Sequence, residues 1–126
     1  MDIRLITRDN VSDRTVDELP ALLKADAGLS WVDIPHTNEA SVEVLTNVFG
    51  FHPLAIRDCV ERNRVPKIHG YGDHVFIVLH APEPGLRGHV HYIELDQFIG
   101  RNYVVTVHGP VNPIVDPEVA LRETRA

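Results

Sequence analysis

The chain has 126 residues, a formal net charge of −6, one cysteine and the apolar and charged shares of a globular protein. This is the size of one domain, large enough to bury a core without staples, and a single thiol excludes an internal disulfide framework and fits a reducing compartment. The acidic balance argues against a nucleic-acid partner, no apolar run nears the roughly 20 residues that span a bilayer, and MDIRLITRDN lacks a secretory h-region.

IRLIT, residues 3–7, alternates in part and reads as a strand. SDRTVDELPALLKADAG reads as a helix, with Thr15 and Glu18 at capping-box spacing and Gly28 as its stop. Pro20 is tolerable only in a first turn, so it is an alternative first helical residue. SWVDI is a second strand closed by Pro35, and the strand–helix–strand order suggests a crossover and a parallel pair. TNEASVEVLTNVFG is the next helix, with Asn38 as N-cap and Gly50 at its end.

His52-Pro53 opens a short helix. HVFIVLH is continuously apolar, the pattern of a central strand covered on both faces, with residues 75–79 buried. HVHYIELDQFI and YVVTVH follow as strands, joined at Gly100-Arg101-Asn102 by a turn of hairpin chemistry. A last helix begins around Asp116-Pro117, and the chain ends inside its charged pattern, as a truncated piece would. The order implies an α+β fold: an α/β/α sandwich whose mixed sheet contains an antiparallel meander and has helices on both faces.

Of the eight histidines, His89 and His91 share a strand face, and His80 or His108 could complete a three-histidine metal site there. The plainer reading is solvent-side strand residues, since Glu94 and Asp96 complete no familiar zinc spacing. Cys59 sits mid-helix beside Ile56 and Val60 and reads as a small core residue. No serine elbow or phosphate-cradling glycine loop is present, so the chain reads as non-enzymatic.

The stretch GFHPLAIRDCVERNRVPK carries more information. Ile56, Cys59 and Val60 form an apolar edge, and Arg57, Asp58, Glu61 and Arg62 lie away from it. Asp58 and Glu61 are spaced to point the same way, while Asp58 and Arg62 are spaced for an ordinary surface ion pair.

FGFHPLAIRDCVERNRVPKIHGYGDHVFIVLH resembles a segment of the CorA-type magnesium and cobalt transporters. There a helix F-G-hydrophobic-H-P-L-x-hydrophobic-x-D leads into R-x-P-K and a Y-x-D-x-hydrophobic-F strand. WVDI and FIGRNYVVTVH match the same family's W-hydrophobic-D-hydrophobic strand and its G-x-N-Y-hydrophobic-hydrophobic-T-V-H hairpin, so the likeness covers about residues 30–108.

The resemblance implies that residues 1–126 are the single amino-terminal cytoplasmic domain of a membrane transporter, cut before its stalk and two transmembrane helices. The full-length protein would be a homopentamer at the cell membrane, held there only by the missing helices. The isolated piece would be monomeric or weakly associated. Asp58 matches the acid that faces a neighbouring subunit and helps bind a regulatory magnesium ion. Glu61 would partly replace a second acid whose place Arg57 takes. In the isolated domain magnesium binding would be weak or absent. A related zinc transporter, a metal-dependent enzyme using the strand histidines and a stand-alone binding protein are the alternatives.

Overall fold

The computed structural model describes residues 1–61, 65–84 and 90–108, with 83, 84 and 90–92 described by backbone alone. Seven strands form one mixed sheet: β1 (Asp2–Ile6), β2 (Val11–Arg14), β3 (Leu29–Ile34), β4 (Lys67–Gly70), β5 (His74–Pro84), β6 (Val90–Gly100) and β7 (Tyr103–His108). Their order is β2-β1-β3-β7-β6-β5-β4. Neighbours are antiparallel except for the parallel pair β3–β7, and β4 to β7 form the expected meander.

The amino-terminal third departs from the sequence reading. The Thr7 amide bonds the Asn10 carbonyl at 2.8 Å and turns the chain into a hairpin, so β2 occupies residues that patterning assigns to a helix. Thr15 and Glu18 do form a capping box, but it closes a 3₁₀ turn, Val16–Glu18. Helix α1 follows at Leu19–Ala25 with Pro20 in its first turn. It ends on Asp26 in the left-handed conformation (φ 52°), not on Gly28. Gly28 instead passes so close to β1 that a Cβ there would lie 2.5 Å from the Ile6 carbonyl oxygen. The extra hairpin reverses the direction expected of β1. It therefore runs antiparallel to β3, and the parallel pair of the fold is β3–β7.

Helix α2 (Glu39–Glu43) is capped as expected: Asn38 Oδ1 accepts from the Ser41 amide at 2.9 Å, and Ser41 Oγ accepts from the Asn38 amide at 2.8 Å. It widens into a π-helical turn, Val44–Val48, closed by Phe49 N–H to the Val44 carbonyl. Gly50, at φ 65°, then breaks the chain away without a Cβ clash. Helix α3 spans Pro53–Val60.

One face of the sheet is the core face. Alternate strand positions (Val32, Ile34, Phe76, Val78, Phe98, Val105, Val107) meet Leu19, Leu45, Phe51, Ala55, Ile56 and Cys59 from the helical layer. Burying each large side chain stabilises by about 1.5–3 kcal/mol. The opposite face keeps Trp31, Leu79, Ile93 and Ile99 more than a third exposed among the described residues. All the described helices thus cover one face. The carboxy-terminal helix expected near residues 116–126 lies outside the described residues. Strand β5 stands one place in from the edge rather than at the centre. Its run is apolar on both sides, which hides the alternation of buried Phe76 and Val78 with 44% exposed Leu79.

Candidate metal-binding helix and the acids beneath it

Helix α3 is fixed at its start by three adjacent residues. Phe51 is buried and stacks on Phe98 of β6 with ring centroids 3.9 Å apart. The His52 ring nitrogen accepts from the Leu54 amide at 3.1 Å, capping the first turn, and Pro53 begins the helix. Ala55, Ile56 and Cys59 are the buried side chains; Val60, expected on that edge, is 49% exposed. The eight-residue helix cannot present all four apolar positions to one flat sheet.

Asp58 lies on the flank of α3 and its side chain is partly buried. Its carboxylate accepts a hydrogen bond from the ammonium of Lys67, the first residue of β4. Arg57 instead reaches Glu61, with Nε to Oε1 at 3.1 Å. Each of the two candidate ligand acids therefore has a cation beside it. Glu61 follows the helix with extended backbone (φ −91°, ψ 150°), so the helical spacing that would align Asp58 with Glu61 or Arg62 ends at Val60. Arg62 lies outside the described residues.

Beneath α3, Glu94 and Asp96 project from alternate positions of β6 into the core side of the sheet, 6% and 0% exposed. In sequence these two present themselves only as possible zinc ligands, because strand alternation does not reveal a buried carboxylate. Neither carboxyl oxygen of Asp96 meets a nitrogen or oxygen donor within hydrogen-bond distance among the described residues, and the weakly donating Cys59 thiol faces it. Burial first, then the Glu94 charge, pushes Asp96 up to about 8. Burial and the Asp96 carboxylate likewise raise the Cys59 thiol, so Cys59 is an inert core residue, as expected.

Of the histidines proposed for a metal site, the two with described side chains, His80 and His108, stand on opposite faces of the sheet. His80 stands opposite Glu94 on the core face, its Nε2 3.9 Å from Oε1. His108 is on the other face, where Asp33 Oδ1 accepts from His108 Nε2 at 2.7 Å and from Thr106 Oγ1 at 2.6 Å. Thr106 in turn accepts from the Trp31 indole at 3.0 Å. Hydroxyl and imidazole both turn to the carboxylate, so this is not the nucleophile-to-base order of a hydrolase. His89 and the His91 side chain lie outside the described set, and no three potential ligands stand together among the described residues.

The sequence profile described as "CorA-like Mg2+ transporter protein" matches residues 26–123. The chain belongs to the CorA-like family. It is 35% identical over 83 residues to YfjQ of Bacillus subtilis (strain 168), provisionally named a metal ion transporter, a match covering 66% of this chain and 25% of YfjQ. Its fold is similar to the complete CorA magnesium transporter of Methanocaldococcus jannaschii (TM-score 0.67, 15% identity, 99% of this chain and 37% of that one). The soluble domain of the same CorA gives a TM-score of 0.61 at 16% identity, covering 99% of this chain and 46% of that one. Full-length CmaX gives 0.66 at 15% identity, covering 98% of this chain and 39% of CmaX. The chain thus spans less than half of each relative.

The CorA-like motifs that lie far apart in sequence meet in the fold. The Trp and Asp of WVDI join the Thr and His of YVVTVH through Thr106 and Asp33, across the parallel β3–β7 pair. The Lys of the R-x-P-K segment is Lys67, which brings β4 onto the acid of α3. No described helix is long and apolar enough to cross a membrane.

Proposed function

We propose that this chain is the cytoplasmic regulatory domain of a CorA-like divalent-cation transporter, a homopentamer moving magnesium or cobalt, and that Asp58, assisted by Glu61, senses magnesium between subunits. The observation that supports the transport reading most is the family match over residues 26–123. The sensing role is supported by the placement of Asp58: on the flank of a short helix, partly exposed, and bonded to the surface cation Lys67.

Carboxylate oxygens suit magnesium, which keeps several waters and needs only one or two of them. Each acid here lies beside a cation, which lowers the affinity for a divalent ion. A second subunit would supply the missing ligands. High internal magnesium would then bridge subunits and hold the assembly closed. Its loss would leave like charges facing each other and let the subunits move, giving negative feedback on uptake. A regulatory domain of this kind performs no chemical step.

The transport reading is tested with the full-length gene product in liposomes, comparing uptake of magnesium, cobalt and zinc. Saturable magnesium or cobalt uptake is expected; zinc uptake alone, or none, contradicts it.

A further inference from the structure

We propose that His52 is a proton-sensitive cap on α3: its neutral imidazole holds the first turn of the helix, and protonation releases that turn while the ring stays on Tyr71. The inference concerns the helix that carries Asp58 but does not depend on the transport or sensing readings.

His52 receives the opening amide protons of α3. Pro53 has none to offer, so Leu54 carries the first, and it donates to Nδ1 of the His52 ring at 3.1 Å. Ala55 and Ile56 donate to the His52 carbonyl at 3.0 and 3.1 Å. An amide can only donate, so Nδ1 carries a lone pair and the ring is the neutral tautomer with its proton on Nε2. A second proton can go only to Nδ1. It removes the acceptor, leaves one N–H facing another, and sets a positive charge at the positive end of the helix. Helix α3 has eight residues, too few to hold itself without its cap and its packing, so the loss is felt along its length.

A proton reaches this ring without any opening of the fold, because His52 is exposed. The charged ring still has a place to lie. Its centroid is 5.6 Å from that of Tyr71 with the planes 24° apart, within the range of a cation over an aromatic face. The other titratable groups gathered around Tyr71 are His69 of β4, at 4.4 Å, and His74 of β5, at 5.2 Å, whose Nδ1 lies 2.7 Å from Asp73 Oδ1. His69 is exposed too, and when charged it competes with the His52 imidazolium for the same aromatic face. The sign follows from the bond. It exists only with the neutral His52 ring, so its contribution is whole at the alkaline end and is lost as pH falls.

The test is ¹⁵N NMR of the His52 ring together with amide exchange of residues 57–60, corrected for intrinsic rates. Both are followed from about pH 8 to about pH 5, the interval in which histidines change charge. At the alkaline end the ring should show the Nε2–H tautomer. As it protonates, α3 protection should fall about fivefold along the same curve. His52→Asn keeps an acceptor that takes up no proton in this interval, so its protection should match alkaline wild type and stay flat. His69→Gln should leave the decline in place. Protection that stays flat while the His52 ring titrates overturns the proposal. So does a decline that survives in His52→Asn or disappears in His69→Gln. If a variant fails to fold, the wild-type curves decide: coincidence of ring protonation and α3 protection upholds the cap, and divergence overturns it.

Discussion

Lys67 at the start of β4 donates to the carboxylate of Asp58 on α3, an ion pair between residues nine apart. It ties the edge strand to the helix above it. It also sets the terms for any divalent ion at Asp58, because the ion must displace the ammonium or share the acid with it. Both side chains are partly exposed, so the pair contributes under ~1 kcal/mol to stability. Lys67→Met should therefore leave the urea midpoint nearly unchanged. In magnesium titrations of the chain followed by amide shifts, the α3 resonances should move at lower magnesium than in wild type. An unchanged titration would detach Lys67 from the site.

Asn38→Ala removes the side-chain acceptor of the Ser41 amide at the start of α2. The expected loss is about 1 kcal/mol in urea unfolding. Asn38→Asp should retain most of it.

Thr106 joins Trp31 to Asp33. Thr106→Val removes a donor and an acceptor at once, but His108 still donates to Asp33 and the Trp31 side chain lies at a third-exposed position. The cost should be about 1 kcal/mol. Trp31 is the single tryptophan, so a shift in emission maximum reports its released indole directly.

Phe98→Ala removes a ring with no exposed surface, stacked on Phe51 and tilted against Phe76. A loss of about 3–5 kcal/mol is expected in denaturant unfolding. Because Phe51 precedes α3, that helix should lose amide protection before β1 and β3.

Much of this was legible in sequence where one rule governed the residue. Asn38 followed capping chemistry, Cys59 followed helical burial, and the spaced family motifs anticipated the β6–β7 hairpin and the α3 turn. Two strands that patterning missed are short edge strands. VSDR and KIHG are four residues each, and at an edge nothing forces apolar alternation on them. Missing β2 also reversed the direction expected of β1. The partner of Asp58 was hidden for another reason. Helical spacing reaches only along α3, whereas Lys67 arrives by strand pairing after a bend that patterning does not encode. The buried Glu94 and Asp96 were assigned no structural role because polar residues on a strand ordinarily mark its solvent side.

Under the proposed function, Asp58 would belong to a magnesium-sensing contact between subunits. The direct measurement is limited proteolysis of the full-length protein across a magnesium titration, comparing wild type with Asp58→Ala. Wild type should become protected as magnesium rises, and the variant should need about tenfold more magnesium for the same protection, the loss of roughly one charge-assisted ligand. Identical magnesium dependence in the two proteins would contradict the account and leave Asp58 as the surface partner of Lys67.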